Sequence, residues 1–307
     1  MPTRRSSSTK PDRPSSAVCE EPLGQILDGQ AIARDVRDQV RLGVERLLSE
    51  HGVRPGLAAI VVGDDPASRL YVETKRRGCQ RVGIASSVHH LPARITEDQL
   101  VHLIYRLNRD PEIHGILVQL PLPDAALERP ALAEISPDKD VDGLSPISQA
   151  RLLAGESGLR PCTPLGVMEL VDRTGIDLTG KRVVIVGLSV LVGKPLIHLL
   201  LERGATIVLC HEFTRDLASE VAGAEVLVSA VGKAGLIRGE WIRPGAIVVD
   251  VGITRTPNGV RGDIEFEAAR RRASFITPVP GGVGPMTVAM LLRNTLLAAR
   301  RICMQAG

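Results

Sequence analysis

Aromatic residues are nearly absent: the 307-residue chain has one Trp, two Tyr and three Phe. Its cores must therefore be assembled from Leu, Val, Ile and Ala. That composition suits parallel sheets covered by helices, where buried strands read as aliphatic runs. The same shortage, with dispersed Lys and Arg and a net charge of only +3, removes the stacking platforms and basic stripes of nucleic-acid binders. Cysteine is scarce too. Cys19, Cys79, Cys162, Cys210 and Cys303 are odd in number and form no CxxC. A disulfide framework and a zinc site are thereby disfavoured, and the pattern predicts the reduced thiols of a cytoplasm with no resident metal. No apolar run is long enough to span a membrane, and no internal repeat is visible. The first 24 residues are rich in Ser, Pro and Arg but lack the apolar stretch of a secretory signal. Asp12, Glu20 and Glu21 speak against a transit peptide, so this segment reads as a disordered tail.

What is present is an alternation of helical and strand patterns. Ile32, Val36, Val40, Val44 and Leu47 recur with a helical period. Leu57 to Val62 reads as a buried strand that stops at Gly63-Asp64-Asp65-Pro66. Ser68 opens a polar helix carrying Tyr71, Lys75 and Cys79, and Thr96 is a candidate N-cap for a helix over Glu97 to Leu107. Gly115 to Leu120 is a second buried strand, stopped by Pro121-Leu122-Pro123. A helix opens at Pro161-Cys162-Thr163-Pro164 and runs through Asp172, with a domain junction between Gly143 and Pro161. Strands then follow at Lys181 to Val186, Thr206 to Cys210, Val226 to Ala230, Ala246 to Val251 and Phe275 to Thr277. A helix from Gly193 to Leu201 follows the first of these, and a last helix runs from Thr287 to about Ile302. The succession predicts a two-domain α/β protein whose second half is a Rossmann-like parallel sheet.

Gly187-Leu188-Ser189-Val190-Leu191-Val192-Gly193 joins a strand to a helix. Gly187 permits a tight turn, Gly193 lets the helix approach the sheet, and amides at the helix start suit a pyrophosphate. The spacing is not the full G-x-G-x-x-G, and such turns also serve plain strand-helix packing. The next strand ends at Cys210-His211-Glu212. Glu212 there can accept from the ribose hydroxyl of NAD, whereas Arg215 can bind the 2′-phosphate of NADP; the residues leave both open. In the first half, Tyr71 and Lys75 share a helix face. Tyr71 offers a flat surface, and a lysine ammonium gives up its proton more readily once desolvated. Such a pair also suits an ordinary surface helix. Gln119 ends a buried strand, where an amide must find a partner or serve a ligand. Asp142 sits in a loop of turn-forming residues. The run Pro278 to Thr287, with three Gly and three Pro, forms a stiff small-residue wall before a helix. It suits a planar anionic ligand at Pro280, Gly281 and Gly282, or a rigid connector.

Six stretches resemble the bifunctional methylenetetrahydrofolate dehydrogenase/methenyltetrahydrofolate cyclohydrolases. They are Tyr71-Val72-x-x-Lys75, Gly115 to Pro123, Pro137 to Gly143, Pro161 to Pro164, Asp250-Val251-Gly252-Ile253, and Pro278 to Thr287, in family order. The resemblance implies a catalytic domain and a Rossmann domain facing across a cleft, the last helix returning to the first domain, and a homodimer. It implies residues 25–150 as the folate-binding domain, with 286–307 packing back on it, and 151–285 as the dinucleotide domain. By resemblance Lys75 relays protons, Gln119 holds Lys75, Tyr71 packs on the folate rings and Asp142 binds the pterin. Gly187, Leu188, Ser189, Gly193, Glu212, Arg215 and Ile253 would contact the coenzyme. The implied reactions are oxidation of methylenetetrahydrofolate with NADP and hydrolysis of methenyltetrahydrofolate, in one-carbon metabolism.

Leu188 stands where relatives carry a basic or small residue, and Glu212 where they carry Arg or Ser, so NAD competes with NADP as coenzyme. Arg77 stands where a second lysine is common. Rival readings are a cyclohydrolase alone, a non-catalytic folate- or dinucleotide-binding paralogue, and a two-domain dehydrogenase of another substrate class such as a shikimate or amino-acid dehydrogenase.

Overall fold

The computed structural model describes residues 23–257 and 259–306. The tail expected over residues 1–24 lies outside these except for Leu23 and Gly24. Gly24 is already tied down, its amide donating to the Arg270 carbonyl at 2.8 Å.

Strand β1 (Gln25–Ile26) leads into helix α1 (Gly29–His51), strand β2 (Gly56–Val62) and helix α2 (Pro66–Val82). Strand β3 (Ala85–Leu91), helix α3 (Glu97–Arg109) and strand β4 (Gly115–Val118) complete a first layer, with a short helix α4 (Glu128–Glu134) after it. β2, β3 and β4 form a parallel three-stranded sheet in the order β3-β2-β4. Local chemistry fixes the helix starts. Asp28 accepts from the amides of Gln30 and Ala31 at the head of α1. Asp65 accepts from Ser68 N, and Pro66 occupies the first turn of α2. Thr96 and Gln99 form a reciprocal capping box on α3. α2 thus begins at Pro66, two residues ahead of Ser68, because Asp65 is the cap. β2 is buried along its length, as its aliphatic run requires. β3 went unread in the sequence: its Ser86-Ser87-Val88-His89-His90 run is polar because it is the sheet's edge.

Helix α5 (Pro146–Leu153) and helix α6 (Cys162–Asp172) connect to the second layer. There β5 (Arg182–Val186), α7 (Gly193–Leu201), β6 (Thr206–Cys210), α8 (Leu217–Ala222), β7 (Val226–Ser229) and β8 (Ile247–Asp250) follow one another. A small antiparallel hairpin, β9 (Thr254–Thr256) and β10 (Gly259–Arg261), precedes α9 (Phe266–Arg270), β11 (Phe275–Ile276) and α10 (Val283–Ala306). The six-stranded sheet has the order β1-β11-β8-β7-β5-β6 and is parallel throughout. It is the doubly wound arrangement, in which β5 is flanked by β6 and β7 and the chain's direction of winding reverses.

Two details differ from expectation. β1 joins the second sheet by pairing with β11, although it precedes the first domain's helices. The last helix starts at Val283, four residues before Thr287, so Gly284-Pro285-Met286 forms its first turn and only Pro278 to Gly282 is loop. Proline is tolerated there because first-turn amides have no helical partner.

One apolar cluster runs through both layers. Met286, Met290, Leu291 and Leu292 of α10 pack with Val36, Val40 and Val44 of α1, with Val167 and Leu170 of α6, and onward to Val183 and Ile185 of β5. α10 therefore returns to the first domain and joins the two sheets. Among the described residues Cys79, Cys162, Cys210 and Cys303 are free thiols, and no helix is long and apolar enough to cross a membrane.

Candidate active site

The carboxyl ends of parallel strands converge on one region because every βα crossover has the same hand. β2 delivers Gly63 and the head of α2 there, and β4 delivers Gln119. The peptide of Gln119 is pinned by its N–H, which donates to Ile60 O at 2.9 Å. Its side chain is then placed by two bonds. Nε2 donates to Leu120 O at 2.8 Å, and Oε1 accepts from Lys75 Nζ at 3.0 Å. Lys75 is 9% exposed, and a carboxamide oxygen can hold its ammonium without neutralising it. Lys75 thus keeps donors for a ligand. One turn back on α2, Tyr71 stands 47% exposed at the lip and lines a cavity of about 550 Å³ together with Gly284 and Pro285 of α10.

Asp142 follows a segment that is pinned to β4. Ile116 bridges Asp140 in parallel, and its N–H donates to the Lys139 carbonyl at 2.8 Å. Beyond this bridge the chain turns, Gly143 N donating to Asp140 O at 3.0 Å, and Asp142 stands in that turn. The loop is rigid. Lys139 Nζ donates to the carbonyls of Leu107 and Asp110, the end of α3. Asp140 is buried and accepts from Leu144 N and Ser145 N; burial raises its carboxyl above the usual range against those donors. Asp142 itself is half-buried beside the thiol of Cys162. Burial first, then the Asp142 carboxylate, push that thiol well up, while the nearby Lys75 charge opposes them. Lys75, Gln119, Asp142 and Cys162 accordingly form one electrostatic neighbourhood.

The sequence missed the support behind it. Asn294 of α10, buried at 3%, donates to Val141 O at 2.8 Å and Arg160 O at 2.9 Å. Thr163 and Thr287 share a hydroxyl bond at 3.0 Å. An amide set among the aliphatic residues of the last helix was the available signal.

Across the cleft, the glycine turn follows β5. Gly187 has φ +101°, and a Cβ on it would meet Ala230 O at 2.4 Å; one on Gly193 would meet Gly187 O at 2.0 Å. Both glycines are thus required by close backbone packing at the fork between β5 and β7. Ser189 orders the turn: its Oγ accepts from Val192 N and its carbonyl from Lys194 N. Val190, Leu191 and Lys194 face Leu120, Pro121, Leu144 and Gln149 across a cavity of about 690 Å³. The residues after Gln119 and the glycine turn therefore share one cleft between the sheets. Glu212 and Arg215 are both exposed beyond β6, where His211 N donates to Thr214 Oγ1. Ile253 is 49% exposed beyond β8. Pro280 is exposed, Gly281 has φ +109°, and Gly282 is buried against Thr277.

Two sequence models of one family match this chain. The tetrahydrofolate dehydrogenase/cyclohydrolase catalytic domain matches residues 27–142, and the family's NAD(P)-binding domain matches residues 161–303. The chain belongs to the tetrahydrofolate dehydrogenase/cyclohydrolase family. It is 53% identical over 278 residues to the bifunctional protein FolD of Moorella thermoacetica, covering 90% of this chain and 99% of that one. It is 51% identical over 280 residues to that of Geotalea daltonii, covering 91% and 100%. The crystal structure of the bifunctional FolD dehydrogenase/cyclohydrolase from Campylobacter jejuni superposes with a TM-score of 0.88 at 46% identity, over 91% of this chain and 99% of that one. The Trypanosoma brucei dehydrogenase-cyclohydrolase, complexed with NADP cofactor and inhibitor, gives 0.86 at 40% identity, over 92% and 99%.

In this family member, then, the first domain offers reactive side chains at strand ends. The second offers a backbone turn whose Ser189, Val190 and Leu191 are exposed.

Proposed function

We propose that the chain oxidises 5,10-methylenetetrahydrofolate by hydride transfer to NADP and hydrolyses the methenyl product to formyltetrahydrofolate. The observation that carries this reading is the nearly buried Lys75, held at 3.0 Å by the Gln119 carboxamide oxygen. It lies one turn along α2 from Tyr71, and Leu120, next to its partner Gln119, lines the cleft that the glycine turn borders.

A nicotinamide coenzyme, when bound, supplies the hydride acceptor. The fork between β5 and β7 fits one: Gly187 keeps the turn tight, and Gly193 lets the head of α7 approach it closely. In our reading Leu188, Ser189 and Gly193 border its phosphates, Arg215 or Glu212 its ribose, and Ile253 its nicotinamide end. Loss of hydride leaves a cation delocalised over the carbon and its two nitrogens. Water adds to that carbon, loses a proton, and one carbon–nitrogen bond opens as the nitrogen is protonated. Lys75 relays the proton, and Gln119 keeps its Nζ aimed at the bridge. Tyr71 packs on the folate rings, and Asp142 accepts from the pterin amino group and ring nitrogen. Pro280, Gly281 and Gly282 form the facing wall.

The choice of NADP is supported by the Trypanosoma relative's bound coenzyme and by Arg215. A second reading, NAD, is favoured by exposed Glu212. We take residues 25–150 with 286–307 as the folate-binding unit and 151–285 as the coenzyme unit, working as a homodimer.

The test is direct. Purified protein is given methylenetetrahydrofolate with NADP or with NAD at matched concentrations, and methenyltetrahydrofolate alone. Coenzyme reduction together with methenyl hydrolysis is expected. Absence of both sinks the proposal.

A further inference from the structure

The cavity beside Tyr71 is lined by arginine. Arg34 and Arg37 come from α1, Arg77 and Arg81 from α2, and Arg255 from β9. Arg77 is ion-paired to Glu73. Among the described residues, Arg34, Arg37, Arg81 and Arg255 make no ion pair and no side-chain hydrogen bond. Arg37 shows the crowding: burial and then the charges of Arg81 and Arg34 hold its guanidinium below the ordinary value, with Asp38 alone opposing. Unneutralised cations gathered around a concavity raise the local concentration of anions.

Their arrangement is directional. Tyr71, Thr74, Arg77 and Arg81 fall three or four residues apart and so form one stripe along α2. The stripe runs about 15 Å from Tyr71 to Arg81, at about 1.5 Å per residue. Arg34 and Arg37 flank it, because the two helices pack side by side. Lys75 points elsewhere, toward Gln119. A ligand whose rings rest on Tyr71, with its reacting bridge at Lys75, has its remaining length led along the arginines.

We propose that this stripe is the binding track for the oligo-γ-glutamyl tail of the folate substrate. The inference rests on the folate reading of the Tyr71–Lys75 site. Each γ-linked glutamate leaves one α-carboxylate free, so the tail is a regularly spaced polyanion, and guanidinium forks match carboxylates in two-point contacts. Exposed pairs of this kind contribute about 0.2–1 kcal/mol each. Several together make a preference of about tenfold for long tails over the monoglutamate, eroded by salt.

The experiment compares KM for methylenetetrahydrofolate monoglutamate and pentaglutamate in the wild type and in Arg37→Gln/Arg81→Gln. Free penta-γ-glutamate is titrated by calorimetry into each protein. Expected are a KM about tenfold lower for the pentaglutamate in the wild type, near-equal values in the double variant, and penta-γ-glutamate binding by the wild type alone. High salt should abolish the wild-type preference. Arg34→Gln/Arg255→Gln is the second variant, expected to act in the same direction, and thermal midpoints verify folding of both. Turnover of both folates with equal KM in the wild type overturns the track and leaves the folate reading standing. An unchanged preference in both variants also overturns it. Arginine-dependent binding of penta-γ-glutamate by a wild type that turns over no folate would uphold the anion track while the catalytic reading fails.

Discussion

The two sheets use opposite materials. At the ends of β2 and β4, the candidate site is built of side chains: Lys75 nearly buried, Gln119 spent on two bonds, Asp142 following a pinned loop. At the end of β5 it is built of backbone, where Gly187 and Gly193 let main chains touch. Ser189, Val190 and Leu191 of that turn are exposed. The first region therefore tolerates little change in side-chain chemistry, and the second little change in backbone shape. In the proposed reading, coenzyme choice rests on Glu212 and Arg215 in open solvent, which makes it the property easiest to change.

The largest expected effect is on the side-chain region. Lys75→Met should lower methenyltetrahydrofolate hydrolysis by about 10²–10⁴-fold, the range for loss of a positioned acid-base group. Its circular dichroism and thermal midpoint should match the wild type. Hydrolysis at the wild-type rate would show that Lys75 is not the relay.

Gly187→Ala breaks the backbone region instead. A Cβ placed 2.4 Å from Ala230 O, at φ +101°, must shift main chain. A loss of about 1–3 kcal/mol in urea unfolding is expected, with KM for the coenzyme raised while hydrolysis of methenyltetrahydrofolate survives. Equal loss of both activities would erase the distinction between the regions.

A third test concerns how each region holds its loops. Asp250, 4% exposed, accepts from the amides of Gly252, Asp263 and Ile264. Burial pushes its carboxyl up to about 7, with Asp263 adding repulsion, against the pull of those amides. The folded chain therefore holds this proton more tightly than the unfolded chain, whose carboxyl titrates near about 3.9. The stability so gained is full below about 3.9 and is lost as pH rises toward about 7. Asp250→Asn turns an amide donor toward a backbone donor, so a loss of about 1–3 kcal/mol is expected at neutral pH. Urea midpoints from pH 4.5 to 8 check it: this component of the pH slope should vanish in the variant.

The smallest effect is expected at Glu212. Glu212→Arg should move the ratio of kcat/KM for NADP over NAD upward by about tenfold, one exposed charge contact made and one repulsion removed. An unchanged ratio would assign coenzyme choice to Arg215 or to the turn itself.

Much of this was legible in the linear chain. Aliphatic runs marked β2, β4, β5, β7 and β8 because strands buried on both faces leave no room for polar residues. Thr96 and the Gly187 turn announced element boundaries through chemistry local to them. β3 escaped because an edge strand can be polar, and β1 because two residues carry no period. α10 began early because proline in a first helical turn looks the same as proline in a loop.

The sequence by itself determined the two α/β layers, the strand-end placement of Tyr71, Lys75 and Gln119, and the family they signal. Each of these is written in contiguous residues whose period or spacing is a local property. Only the tertiary structure decided that Asp142 stands beside the Cys162 thiol near Lys75, that Asn294 braces the same loop from 153 residues away, and that arginines of α1, α2 and β9 meet in one cavity. Those are agreements between distant segments. They arise when sheets register and helices pack, and no local pattern records them.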